Sequence, residues 1–218
     1  MDLKEAIRQR HSIRRYTEEP IKAEALTALR QEIERCNAES GLHIQLVTDE
    51  PKAFDSFLAH YGSFRGVRNY LALIGKPGEH FQETCGYYGE RLVLLAQTLG
   101  LSTCWVALTY KKVAEVLQIG EGEKLECVIS VGYADGQPRQ HKRKVYNDVS
   151  PEKDAPQWFR DGVEAALQAP TAINQQKFTI WLENGEPRFK AGWGPYSMID
   201  LGIVKYHFEI GSGHNVWK

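Results

Sequence analysis

The chain has 218 residues, 42% hydrophobic and 25% charged, a balance that suits one large globular domain or two small ones with enough apolar material for a core. With 27 Lys and Arg against 28 Asp and Glu the net charge is −1, so no overall positive field draws the protein to nucleic acid or anionic lipid, and basic clusters act locally. No apolar run approaches the length of a membrane span, and Met1-Asp2-Leu3-Lys4-Glu5 lacks the apolar core of a secretion signal, so the expectation is a cytoplasmic protein with no membrane and no nucleic-acid partner.

In chain order, Asp2 is placed to cap a short helix whose apolar positions Leu3, Ala6 and Ile7 recur at helical spacing. Directly after it comes Arg10-His11-Ser12-Ile13-Arg14-Arg15-Tyr16, a cationic, hydroxyl-bearing turn that Pro20 closes. Forked guanidiniums at Arg10 and Arg14, the Ser12 hydroxyl and the backbone N–H groups of a turn can converge on one anion. Charge-assisted hydrogen bonds are worth about 1.5–3 kcal/mol each, enough for two arginines and a serine to hold a phosphomonoester. A solvated basic corner has the same residues, and for this motif alone that plainer reading is the stronger one.

Ala25, Leu26, Leu29, Ile33 and Cys36 line one face of a second helix, and Gly41 precedes an alternating strand with Leu42, Ile44 and Leu46 on one side. A short helix bearing Phe54, Phe57 and Leu58 leads through Gly62 and Gly66 to Asn69–Ile74, an almost continuously apolar run of the kind a central strand needs. From about Glu79 to Leu99 runs the longest helix of the pattern, apolar around much of its circumference and stopped by Gly100. Leu101–Leu108 reads as a buried strand or loop, then a helix on Val113, Val116 and Leu117, then a strand Cys127–Tyr133. The densest basic cluster, Gln140-His141-Lys142-Arg143-Lys144, follows.

After that cluster the sequence begins again. Arg143-Lys144-Val145-Tyr146 with Pro151 echoes Arg14-Arg15-Tyr16 with Pro20, and each is followed by an amphipathic helix and an alternating strand, Ile44–Val47 in one half and Phe178–Leu182 in the other. Pro187–Ala191 adds a short strand, and a helix through Leu201, Val204, Tyr206, Phe208 and Ile210 closes the chain. This is an internal repeat at low identity, with halves of about 1–136 and 137–218. Between the helix Trp158–Gln168 and the strand lies Ala169-Pro170-Thr171-Ala172-Ile173-Asn174-Gln175-Gln176-Lys177-Phe178. The amides of Asn174 and Gln176 can read the edge of a planar heterocycle, while Pro170 and Thr171 stiffen the turn; an ordinary polar helix-to-strand loop has the same composition.

Cys36, Cys85, Cys104 and Cys127 form no CxxC pair and fall mostly in apolar stretches, where thiols act as small core residues, so neither a zinc site nor a disulfide frame is expected. The histidines make no HExxH; His207 with His214 lacks an acidic third member, and metal catalysis is set aside.

Taken together, these stretches resemble the FMN-dependent nitroreductase and flavin reductase superfamily, in which an RxSxR-type turn holds the FMN phosphate and a Pro-Ser-x-x-Asn-x-Gln-Pro segment from the partner subunit lies along the flavin. The motifs here read Arg10-His11-Ser12-Ile13-Arg14 and Pro170-Thr171-Ala172-Ile173-Asn174-Gln175-Gln176. Gly86-Tyr87-Tyr88-Gly89-Glu90 through Gly100-Leu101-Ser102-Thr103-Cys104-Trp105 is similar to the family's central dimerisation helix and its ending. Lys142 and Arg143, after Val131-Gly132-Tyr133, stand where members place a second basic contact to the phosphate. The implied fold is α+β, a nitroreductase-like mixed sheet flanked by helices, with two degenerate repeats in one chain resembling a nitroreductase dimer.

There are two departures. The Pro-Ser-x-x-Asn-like segment comes late in the chain, which the repeat explains if the second half plays the partner subunit; Cys36–Ser40, its counterpart in the first half, is a poor match, so one FMN per chain is expected. Lys177 stands where the family commonly has proline, either loosening the loop or bringing a positive charge toward the flavin.

The resemblance implies ping-pong turnover, with NAD(P)H as co-substrate and a small nitroaromatic- or quinone-like electron acceptor, by a monomer built as a pseudo-dimer or by a homodimer. It implies no dedicated catalytic residue. Arg10, His11, Ser12, Arg14 and Arg143 would anchor phosphate and ribityl; Pro170, Thr171, Ala172, Asn174 and Gln176 would contact the ring; Ala107 and Leu108 would offer backbone at the flavin edge. His11 could instead pack against Tyr16 as a turn residue, and Arg15 faces water. Trp193-Gly194-Pro195-Tyr196 reads as a substrate lid or as a plug at a core edge, whereas Trp105, Trp158 and Trp181 belong to packing. A flavin-binding protein without turnover, storing or sensing FMN, and an interaction domain with a sulfate-like anion site are the competing readings.

Overall fold

The unbroken apolar run of the first half becomes strand β2, Tyr70–Gly75, with all six residues buried, and a sheet extends from both of its edges. The computed structural model describes residues 1–55, 62–138 and 142–217. With β1 Gln45–Val47, β3 Ser102–Val106 and β4 Lys124–Gly132, the strand order is β1-β2-β4-β3 and every ladder is antiparallel. Among the described residues, parallel pairing is confined to two single bridges, Ser12 with Thr103 and Arg15 with Arg65. A strand flanked on both sides and covered on both faces has to be apolar throughout, which is why Leu71, Leu73 and Ile74 are fully buried. Each such side chain contributes about 1.5–3 kcal/mol.

Among the described residues the α-helices are α1 Leu3–Gln9, α2 Ala23–Ser40, α3 Phe81–Thr98, α4 Tyr146–Val149, α5 Gln157–Ala166 and α6 Ser197–Ser212. Asp2 caps α1 as its position suggests, its Oδ1 accepting the Glu5 N–H at 2.8 Å. On α2 the buried residues are Ala25, Leu29, Ile33 and Cys36, with Leu26 partly covered, and Gly41 ends the helix in the left-handed region at φ 71°.

The chain divides into two compact units that do not follow the sequence halves. One, the sheet unit, takes Arg10–Phe81 and Leu92–Arg139; the other, the helical unit, takes Met1–Gln9, Gln82–Arg91 and Gln140–Lys218. The sheet unit has one apolar cluster around Phe54, Phe64, Tyr70, Val106 and Val128 and another around Ala25, Leu29, Ala96, Leu101 and Val131. In the helical unit, α5 and α6 pack on each other beside a hairpin of β5 Phe178–Glu183 and β6 Glu186–Ala191. Asn184 (φ 54°) and Gly185 (φ 80°) form its two-residue turn, the Asn-Gly pairing that a left-handed hairpin turn selects. The α3 segment in this unit crosses α6 backbone to backbone: a Cβ on Gly86 would lie 2.0 Å from the Ile199 carbonyl oxygen, and one on Gly202 would lie 2.0 Å from that of Glu83. Only glycine permits such an approach.

Three expectations change. Val113, Val116 and Leu117 do not build a helix: Ala114–Val116 is one 3-10 turn, because a short segment with two β-branched residues, closed by Gly120, cannot offset helix nucleation. The first strand is shorter than its alternation, with Leu42 and Ile44 buried ahead of β1 and Leu46 only half-buried. Strand β4 starts at Lys124, three residues before the apolar run. Phe57, Leu58, Gln140 and His141 lie outside the described residues.

Candidate functional site

The basic turn belongs to the sheet unit, and the sheet holds it along its whole length. Ile13 N–H donates to Thr103 O (3.0 Å), Tyr16 N–H to Arg65 O (3.0 Å), Arg65 N–H to Arg14 O (2.9 Å) and Thr17 N–H to Tyr133 O (2.9 Å). Tyr16, 5% exposed, is the pin of this turn. Its hydroxyl donates to Ile13 O at 2.6 Å and lies 2.8 Å from Ser130 Oγ, which in turn is 3.3 Å from Cys104 O. Burial, with Cys104 adjacent, pushes the Tyr16 phenol well above its ordinary range, so it stays a neutral donor. Gly66 is at φ 68°, and a Cβ there would meet Tyr16 O at 2.3 Å, so the position admits nothing larger.

Two of the turn's arginines face the same ground. Arg10 is 7% exposed, and Arg14 is half-buried with its guanidinium 5.9 Å from the Phe64 ring centroid. Burial raises the Cys104 thiol, an effect opposed by the charges of Arg14 and Arg10 and by a hydrogen bond from the Ser12 hydroxyl. Arg10, Arg14 and the Ser12 hydroxyl therefore all lie near the Cys104 thiol. Among the described residues no carboxylate pairs with Arg14. Two arginines and a hydroxyl near one buried thiol are a donor set that fits a doubly charged anion such as a phosphate monoester. Arg15 points the other way, exposed and 3.4 Å from Asp135. His11 is half-buried; beyond β3, Ala107 is half-buried and Leu108 is 72% exposed.

The Pro170–Gln176 loop belongs to the helical unit. Ala172–Asn174 form a 3-10 turn in which Ile173 and Asn174 take positive φ, as does Gln176 beyond it. Thr171 Oγ1 accepts the Gln176 N–H at 3.0 Å. The Gln176 side chain, expected to read a ring edge, is 3% exposed and engaged at both ends: Oε1 accepts the Lys144 N–H (2.9 Å) and Nε2 donates to Leu167 O (3.1 Å). Lys144 Nζ closes the clamp on Gln176 O at 2.7 Å. Asn174 is exposed, with Nδ2 donating to Lys142 O at 2.9 Å. The Lys177 ammonium donates to Trp193 O at 3.2 Å. Trp193 itself is 93% exposed and plugs no core. Arg143 is exposed in the same unit.

Asp200, in the first turn of α6, anchors the far side of this loop. Its Oδ1 accepts the Ala172 N–H at 2.9 Å and its Oδ2 accepts Gln175 Nε2 at 2.7 Å. Burial pushes its carboxyl up to about 6, against the pull of those two hydrogen bonds. Sequence pattern missed Asp200, Tyr16 and Lys144. The available signal for Asp200 was a lone acid inside the apolar run Ser197–Val204.

Neither described cleft is lined by Arg10, Ser12, Arg14 or the Pro170–Gln176 loop. One of about 530 Å³ in the sheet unit is lined by Tyr16–Ile21, Asp49 and Arg68; Arg68 is bonded by Asp49, and Glu18 and Glu19 leave it a poor seat for an anion. Another of about 360 Å³ in the helical unit carries Lys4, which donates to Gly211 O, and Arg8, which pairs with Glu5.

The family model described as "Putative TM nitroreductase" matches residues 2–212. Among solved structures, a "putative nitroreductase" of Thermotoga maritima superposes with TM-score 0.65 at 21% identity, over 97% of this chain and 83% of its own. A "putative nitroreductase in complex with FMN" from Desulfovibrio desulfuricans has TM-score 0.55 at 21% identity, over 72% and 99%. A "Putative NADH Oxidase" of Clostridium acetobutylicum has TM-score 0.53 at 20% identity, over 68% and 99%. No curated protein matches the chain.

Proposed function

The chain belongs to the nitroreductase family described as "Putative TM nitroreductase", and from that premise we propose that it is an FMN-dependent oxidoreductase that uses NAD(P)H to reduce nitroaromatic- or quinone-like acceptors. The observation that carries the reading is the convergence of Arg10, Arg14 and Ser12 at Cys104, on a turn pinned by Tyr16. When bound, FMN supplies the two-electron chemistry, taking a hydride equivalent from the nicotinamide and handing electrons to the acceptor.

The chain's own part is to hold and to position. Arg10, Arg14 and Ser12 bind the phosphate, with His11 and Arg143 adding polar contacts. Pro170, Thr171, Ala172 and Asn174 offer the ring a preformed surface, while Gln176 acts through the backbone, its amide being committed to Lys144 and Leu167. Ala107 and Leu108 offer backbone groups at the ring edge. A site that relies on orientation needs no nucleophile or general base. The same proposal includes the two repeats, about 1–136 and 137–218, as the source of one complete site and one FMN per chain; each runs from a basic segment through a helix, α2 or α5, to an antiparallel strand, β1 or β5.

Anaerobic stopped-flow reduction tests it. The purified protein is expected to be yellow with one flavin per chain, to bleach on adding NADH or NADPH, and to regain colour with a quinone or nitroaromatic. Bound flavin that no nicotinamide nucleotide bleaches would instead support storage or sensing of FMN.

A further inference from the structure

The loop ahead of β5 holds a backbone that its own residues do not favour. Ile173, Asn174 and Gln176 sit at φ 48°, 55° and 44°, and for β-branched Ile173 that conformation has to be imposed from outside. Asp200 grips the 3-10 turn at both ends, Oδ1 on the Ala172 N–H at 2.9 Å and Oδ2 on Gln175 Nε2 at 2.7 Å, from a residue only 5% exposed. We propose that Asp200 is a positioning residue that latches this loop in its flavin-ready conformation, and that protonation of its carboxylate releases the latch. The proposal rests on the reading above that the loop lies along the flavin.

The physical reason is the direction of the hydrogen bonds. A carboxylate only accepts, and both of its partners here only donate, so the ionised form satisfies both at once. A proton on either oxygen turns it into a donor facing a donor, and one of the two bonds is lost. Gln175 offers the one local rearrangement: its Oε1 is buried without a hydrogen-bond partner among the described residues and could take the new proton after the amide turns over. That turn would break the second bond of Nε2, to Pro195 O at 2.9 Å, and so free the loop from the segment after Trp193 as well.

Among the described residues, the charged side chains of α6 and of the loop are engaged elsewhere. On α6, Lys205 is paired with Glu83 of α3, His207 meets Glu90 at 2.8 Å, and Glu209 accepts the Tyr87 hydroxyl at 2.7 Å. From the loop side, Lys144 and Lys177 donate to the carbonyls of Gln176 and Trp193. Burial lifts the Asp200 carboxyl to about 6, which sets the release in mildly acidic solution.

The test follows two signals in the full chain, wild type and Asp200→Asn, from pH 5 to pH 8. One is FMN affinity by quenching of flavin fluorescence. The other is hydrogen exchange of the 168–177 segment without flavin, corrected for intrinsic rates. In wild type the FMN dissociation constant is expected to rise about tenfold from pH 7 to pH 5 through linkage to one proton, and loop exchange to accelerate over the same range. Asp200→Asn should exchange fast at every pH and retain only the pH dependence that the FMN phosphate brings to both proteins. If loop exchange steps with pH in wild type alone but neither protein binds FMN, the latch stands and the flavin reading falls. Identical loop exchange in the two proteins across the range overturns the latch, whatever FMN does. Should Asp200→Asn not fold, Gln175→Ala removes the Oδ2 partner instead, and unchanged exchange at pH 7 would count equally against it.

Discussion

The Tyr16 hydroxyl stands 2.8 Å from Ser130 Oγ and 2.6 Å from Ile13 O, so one buried phenol ties the middle of the basic turn to the central strand β4. Ile13 O accepts the Tyr16 proton, and Ser130 Oγ, beside the phenol, also donates to Cys104 O at 3.3 Å. Tyr16→Phe leaves a buried hydroxyl and a carbonyl short of a partner, at a cost of about 1–3 kcal/mol. Urea unfolding is expected to show that loss, and FMN titration a weaker complex, since the phosphate-binding groups ride on the pinned segment.

The approach of Gly66 to the same tyrosine gives a sharper test. With φ at 68° and a Cβ that would sit 2.3 Å from Tyr16 O, Gly66→Ala has both strain and overlap to absorb. A destabilisation of about 2 kcal/mol or more is expected. Gly185→Ala, at φ 80° with no atom within 4 Å of its Cβ, should cost about 1 kcal/mol, the conformational part alone. Equal urea midpoints for the two variants would contradict the close contact.

Arg10→Ala combined with Arg14→Ala should strip the flavin and leave the fold. Each guanidinium gives the phosphate charge-assisted bonds worth about 1.5–3 kcal/mol, so the pair accounts for two or more orders of magnitude in affinity. Wild-type affinity should fall with added salt and the double variant's much less. Full flavin occupancy of the variant, measured on purified protein, would refute the phosphate assignment.

His207 and Glu90 form a fully buried pair, Nε2 to Oε1 at 2.8 Å, while Nδ1 donates to Ala165 O at 3.1 Å. His207→Leu takes one hydrogen-bond partner from the buried Glu90 carboxyl and the donor from Ala165 O, and should cost about 1–3 kcal/mol. Replacing both partners by Leu should recover much of that loss. A double-mutant cycle in urea reads the difference, and additive effects would show the pair to be uncoupled.

Asp200 also predicts how stability depends on pH. Its folded value of about 6 lies above the ordinary 3.8, so between those limits the folded chain binds more protons than the unfolded one. Its contribution to stability is thus full below pH 3.8 and lost as pH rises through 6, a change of order 3 kcal/mol. Asp200→Asn does not titrate, so its stability relative to wild type should increase from pH 4 to pH 7 in parallel urea titrations. The ionised carboxylate that orders the loop is therefore the form the fold tolerates least.

Apolar periodicity was enough to locate α1, α2, α3, α5, α6 and the central strand, because burying one face or all faces of an element is a local demand on composition. It failed at Val113–Leu117, where a helical spacing was too short to nucleate, and it passed over the Asn184-Gly185 turn, a signal present in the residues themselves. The basic turn at Arg10–Arg14 and the polar loop at Pro170–Gln176 were likewise legible from residue type. What the groups in them do was not. Gln176 and Asn174 look equivalent in the sequence, yet Lys144 and Leu167 occupy the amide of the first and leave the second at the surface. Tyr16 and Asp200 gain their importance from Ser130 and Ala172, partners 114 and 28 residues away. Hydrogen-bond direction and burial at such separations are set by how the elements pack, and only the folded chain specifies them.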